Sequence, residues 1–154
     1  TAFCAGLSPE LVDGDADDWT YDVSTPLLAA TSSVMPEALQ RRLVSFLSRG
    51  GRLLFTPVLP AFDAWLKPCS ILRDLLGAPG ETRAPEDAVL RFRGMESVYT
   101  SGLALTTARP PDGATVLGRE QSGGGCAAWM KKMKGGGRAI WLGMRPIWPS
   151  SSRP

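Results

Sequence analysis

The 154-residue sequence contains no histidine and no asparagine. Without an imidazole, neither a Ser-His-Asp nor a Cys-His nucleophile can be assembled from these residues, and the zinc sites built on imidazole ligands go with them. Without asparagine there is no acceptor for an N-linked glycan. Cysteine is scarce. Cys4, Cys69 and Cys126 are odd in number, far apart and form no Cys-X-X-Cys pair, so they read as buried or incidental thiols rather than a disulfide framework. Such thiols favour a reducing, cytoplasmic setting. Neither sign of charge is in excess: 17 basic against 15 acidic residues give a net +2, a balance that argues against nucleic acid or a membrane surface as partner. No apolar run approaches the roughly 20 residues of a membrane helix.

What remains is the composition of a globular domain, 44% hydrophobic and 21% charged, on a chain long enough for one real core. The chain starts "TAFCAGLSPELV", with neither a methionine nor a basic leader, and reads as a piece of a longer protein. A short strand is expected at Glu10 to Asp13. A second is expected over Leu27 to Thr31, whose continuous apolar run suits a strand covered on both faces. "MPEALQRRLVSFLSRGG" is a helix: Pro36 and Glu37 suit its first turn, Leu39, Leu43, Phe46 and Leu47 form one apolar stripe, and Gly50-Gly51 ends it. Leu53 to Phe55 is the next strand. Strand, helix and strand with tight joints make a right-handed, parallel βαβ unit. A short helix follows from about Ser70 to Leu76, then a loop from Pro79 to Asp87. "AVLRFRG", "ATVLGRE", "GCAAWMKK" and "RAIWLGM" read as strands, the last two joined as an antiparallel hairpin through "MKGGGR".

Several stretches are candidates for chemistry. In open α/β sheets ligands gather beyond the carboxyl ends of parallel strands, which singles out the hydroxyls of Thr31, Ser32 and Ser33 and the turn Thr56-Pro57-Val58. The acidic run Asp13, Asp15, Asp17 resembles the opening of a calcium loop, but Asp18 and Ser24 stand where the template needs glycine and glutamate; a solvated acidic turn accounts for it. "SGGGC" at 122–126 could turn backbone amides toward an anion, yet it has neither the dinucleotide glycine spacing nor a Walker lysine. Lys131, Lys132, Lys134 and Arg138 crowd a hairpin tip without the aromatics of an RNA site. A carboxylate mechanism would have to use Glu37 or Glu120, neither with a recognisable partner. Trp141, in mid-strand, reads as core. Trp148, between Pro146 and Pro149 and close to Arg145, is the candidate interface anchor, while Trp65 is a third ring able to stack. Nothing in the pattern calls for a resident metal or cofactor.

"VMPEALQRRLVSFLSRGGRLLFTPVLPAFD", together with "GGGRAIWLG", resembles the class I glutamine amidotransferase-like (trimerisation) domain of family 42-type β-galactosidases over roughly residues 5–145. The resemblance implies an α/β, flavodoxin-like, three-layer sandwich with a mainly parallel sheet and a C-terminal antiparallel hairpin, spanning residues 1–145, with 146–154 an extended tail. The family domain begins with a strand and a helix that have no counterpart here; "TAFCAGL" reads as the end of that helix. In true amidotransferases a cysteine nucleophile follows the strand matching Leu53 to Phe55. Here Thr56-Pro57-Val58 occupies that elbow, so the resemblance implies a fold without its chemistry. The function it implies is a non-catalytic domain supporting oligomerisation and the catalytic TIM barrel of the same polypeptide. A small-ligand or carbohydrate-binding module using the crevice at Thr31, Ser32 and Ser33 is the alternative.

Overall fold

The computed structural model describes residues 10–14, 16, 21–77, 81–83, 88–92, 95–98 and 105–144. The elements run β1 (Leu27–Thr31), α1 (Glu37–Ser48), β2 (Arg52–Pro57), α2 (Ile71–Leu76), β3 (Glu81–Arg83), β4 (Val89–Phe92), β5 (Met95–Val98), β6 (Thr106–Ala108), β7 (Thr115–Glu120), β8 (Cys126–Lys132) and β9 (Arg138–Leu142). They build one mixed sheet in the order β1-β2-β9-β8-β7-β4-β5, with β6 paired to β8 and β3 to β6.

The βαβ unit forms as its sequence pattern requires. β1 runs parallel to β2, in register Leu27 with Leu53 and Ala29 with Phe55, and β2 runs parallel to β9, pairing Phe55 with Trp141. These are the only parallel pairs among the described strands; every other pairing is antiparallel. The expected flavodoxin-like three-layer sandwich with a mainly parallel sheet is therefore corrected to a mixed sheet with two helices among the described residues. The reason lies in the connections. A parallel neighbour needs a crossover, usually a helix, whereas strands joined by short turns pair antiparallel. After α2 the described elements are all strands.

Two further expectations are corrected. Glu10 to Asp13 is not a strand; Leu11 is fully exposed, and the segment instead hangs on α1, where Arg42 Nη1 donates to the carbonyls of Gly14 (2.8 Å) and Ala16 (2.7 Å). Glu81–Arg83 lies inside the expected loop from Pro79 to Asp87, yet it forms β3.

One core lies between the helices and one sheet face. Leu43 and Leu47 of α1 and Leu72 and Leu76 of α2 meet Leu53 and Phe55 of β2, Ala139 and Trp141 of β9, and Trp129 of β8. Trp129 and Trp141 are cross-strand partners whose rings stack at 6.0 Å, an arrangement favourable beyond simple burial. A second cluster, Ala88, Leu90, Leu105 and Ala127 with Phe92 and Met144, serves the antiparallel half. The cover of β1 is one-sided: Leu27 packs on the core while Leu28, its neighbour on the opposite face, is 60% exposed. The expectation of a strand buried on both faces is not met among the described residues.

The β8–β9 hairpin forms as expected, and its glycines have a packing reason. A Cβ at Gly137 would stand 2.1 Å from the carbonyl oxygen of Leu47, and one at Gly135 would stand 1.9 Å from that of Ser48. The turn backbone thus lies directly on the end of α1. No described helix is long and apolar enough to cross a membrane.

Candidate functional site

The carboxyl ends of β1 and β2 come together, as a ligand crevice would require, but several of their polar groups are bonded to the protein itself. Thr31 is buried and its Oγ1 donates to the Thr56 carbonyl at 3.0 Å. The Pro57 carbonyl accepts from Trp141 Nε1 at 2.8 Å. Ser32 Oγ donates to the Val34 carbonyl (2.7 Å) and accepts from the Val34 amide (3.2 Å), a local turn. The Ser33 carbonyl takes the amides of Ala61 and Phe62 at 2.9 and 3.0 Å. Thr56 is buried, and the half-buried Val58 leads to Leu59 inside the core. The elbow at Thr56-Pro57-Val58 lies at the end of β2. Its one side-chain hydroxyl, on Thr56, is buried, and the proline offers no amide to an oxyanion.

Gln40 was missed by the sequence reading and holds this end together. It sits on the buried face of α1 at 0% exposure. Its Nε2 donates to the carbonyls of Met35 and Cys69, both at 3.1 Å, and its Oε1 accepts the Leu72 amide at 3.3 Å. Leu72 is the second residue of α2, whose Ser70 makes no capping bond, so a glutamine from another helix supplies an acceptor for one of the unpaired amides of the first turn. A signal was available: position 40 lies on the same helical face as Leu43 and Leu47.

The other candidates resolve into structure. Glu37 pairs with Arg41 one turn along α1. The Glu120 side chain is almost wholly enclosed and accepts the amides of Ser122 and Gly123. Two of the amides that "SGGGC" offers to an anion, those of Ser122 and Gly123, are thus taken by the protein's own carboxylate. Burial pushes the Glu120 carboxyl up, but the bonds from Gly123 and Ser122 outweigh it and hold the group below the usual carboxylate range. Lys131 Nζ donates to the Leu76 carbonyl, closing the end of α2 that Gly77 terminates in the left-handed conformation. Cys126 is buried, which raises its thiol pKa, the setting of a structural thiol. Trp141 is core, as its mid-strand position implies. Arg145 and Trp148, and Asp15, Asp17 and Asp18 of the acidic run, lie outside the described residues. Among those described, no group of three or more cysteines, aspartates and glutamates could hold a metal ion.

Trp65, unlike Trp141, is not part of the core. It stands 82% exposed beside Leu66, 69% exposed, on the loop that follows the elbow.

The fold is one carried inside larger glycoside hydrolases. The β-galactosidase of Rahnella sp. R3 superposes with a TM-score of 0.74 at 18% identity, covering 94% of this chain and 23% of that enzyme. A GH42 β-galactosidase from G. stearothermophilus superposes at 0.66 with 21% identity, covering 81% and 20%. In sequence, residues 10–112 match the family described as "GLMA-like, second domain", and the chain belongs to that family. The exo-β-D-glucosaminidase of Pyrococcus horikoshii is 32% identical over 124 residues, 76% of this chain and 15% of that protein. The chain therefore spans about a seventh of the length of such a relative.

Proposed function

We propose that this chain is a non-catalytic domain of a longer glycoside hydrolase, supporting the catalytic barrel of the same polypeptide and its oligomeric assembly. The observation that carries this reading lies at the strand ends where an α/β sheet would place its chemistry: the hydroxyls of Thr31 and Ser32 and the carbonyls of Thr56 and Pro57 are committed to internal bonds. The family match and the share of each relative covered support the same reading. The elbow, in this view, is an amidotransferase-like turn kept for packing. The interface is assigned to the tail, where Arg145 and Trp148 combine the residue types most enriched at interface centres.

The experiment compares the full-length enzyme with its Arg145→Ala/Trp148→Ala double variant by light scattering and thermal unfolding. A smaller assembly or a lower Tm is the expected result. Unchanged mass and unchanged Tm remove the tail from the interface.

A further inference from the structure

We propose that the loop from Phe62 to Pro68 is a docking knob, with Trp65 and Leu66 seated in an apolar socket on the catalytic domain of the same polypeptide. This rests on the accessory-domain reading and adds to it a surface and a partner.

The loop is built to hold its tip still. The Cys69 amide donates to the Ala61 carbonyl at 2.8 Å, closing the base, and Phe62 bridges both Val34 and Pro68. Above it, the Asp63 amide donates to the Lys67 carbonyl (2.9 Å) and the Leu66 amide to the Asp63 carbonyl (3.1 Å). Asp63 Oδ1 accepts the amides of Trp65 (2.8 Å) and Lys67 (2.9 Å). Arg73 Nη2 donates to the Leu59 carbonyl at 2.6 Å, tying α2 to the start of the same excursion. A tip fixed this way has already lost the freedom that binding would otherwise cost it.

What this frame displays is apolar. Phe62 is partly exposed, and Trp65 and Leu66 lie mostly in solvent. Leu66 has φ 59°, the one non-glycine residue with positive φ among those described. A leucine held there is strained, and it lies mostly in solvent. Strain of this kind gathers at sites where the side chain or backbone serves a contact.

The chemistry favours a protein socket over a saccharide. A sugar would need polar groups around the ring plane, yet Asp63 Oδ1 is committed to two backbone amides, and the hydroxyls of Thr31 and Ser32 donate to the carbonyls of Thr56 and Val34. Among proteins, a domain on the same polypeptide has the advantage. This chain matches only 15% of its Pyrococcus horikoshii relative, and a tethered neighbour acts at an effective concentration of order millimolar, without the entropic cost of recruiting a second molecule.

The test uses the full-length polypeptide, with the 154-residue chain as reference, and reads hydroxyl-radical modification of Trp65 and thermal unfolding. Expected are a several-fold slower modification of Trp65 in the full-length protein, and a lower Tm of the catalytic part in both the Trp65→Ala and the Leu66→Gly variants. Because Leu66→Gly relieves the backbone strain, it should leave the isolated chain at least as stable as before, which separates lost docking from lost folding. Equal modification of Trp65 in the two proteins overturns the proposal. So does a fall in oligomer mass with the catalytic Tm unchanged, which would make the occupant a second copy, or protection of Trp65 in the isolated chain by soluble oligosaccharides. Deleting the whole domain tells the two readings apart. If deletion weakens the catalytic part and the Trp65 and Leu66 variants do not, only the knob fails; if deletion changes neither stability nor mass, the accessory role fails as well.

Discussion

Replacing Thr31 by valine removes one hydroxyl and keeps the shape. Because Oγ1 donates to the Thr56 carbonyl in a buried setting, the Thr31→Val variant is expected to lose about 1 kcal/mol of stability, measured by urea unfolding. No loss would mean that the hydroxyl has no structural duty and would return it to the ligand crevice. Glu120 makes a prediction with pH. Its folded pKa lies below the ordinary value of 4.5, so its contribution is present above that value and fades as pH falls through the lower folded one. Glu120→Gln should therefore destabilise the protein near neutrality, and the gap to wild type should close as acid protonates the native carboxylate. The two curves can be compared at about pH 7 and about pH 3. A gap that stays constant would show that charge is not what the amides of Ser122 and Gly123 require.

At the scale of elements, α1 carries the clearest prediction. Leu43 lies in the core cluster with Leu47, Leu53 and Phe55, and Leu43→Ala should cost about 2–5 kcal/mol. A loss under about 1 kcal/mol would mean that the site collapses around the truncation or that the stripe is misplaced. Gln40 contributes differently, since it joins α1 to the carbonyl of Cys69 and the Leu72 amide in the first turn of α2. Gln40→Leu keeps similar bulk but strands those partners, and about 1–3 kcal/mol should be lost. Hydrogen exchange at Leu72 should accelerate more than at Leu53, because the change frees the α2 amide and leaves the β2 ladder intact. Equal acceleration at both would point to global loosening instead.

For the molecule as a whole, the prediction is that the purified chain turns over no glutamine, simple amide or ester. It has no histidine to act as base, and Thr56 at the elbow is buried. Turnover that disappears in a Thr56→Ala variant would overturn this. The same scale explains the apolar surface. Leu28, Trp65 and Leu66 are all exposed, and exposed apolar groups that gather into patches mark contact surfaces. A domain that serves as part of a larger polypeptide has uses for such surface that a free-standing protein of this size would lack.

The sequence by itself determined the elements with a strong local period. Leu27–Thr31, the helix with its stripe at Leu43, Phe46 and Leu47, the β2 strand, the helix ending at Gly77, and the β8–β9 hairpin are each written in spacing and turn residues. Such periods state which face of an element is apolar. They do not state which strand lies beside which, so the direction of the sheet beyond β9 was open to a wrong analogy, and the mixed pairing was decided only when β7, β8 and β4 met in space. Strands of three residues, such as Glu81–Arg83 and Thr106–Ala108, are too short to show alternation and exist because a partner strand accepts them. The candidate site divides the same way. Its location beyond β1 and β2 followed from strand order, but whether Thr31 faced a ligand or the Thr56 carbonyl depended on a partner 25 residues away. The exposure of Trp65 likewise depended on a turn that Asp63 fixes through its side chain. Hydrogen-bond partners distant in sequence carry no local signature, and that is why tertiary structure alone could show which carbonyl the Thr31 hydroxyl meets.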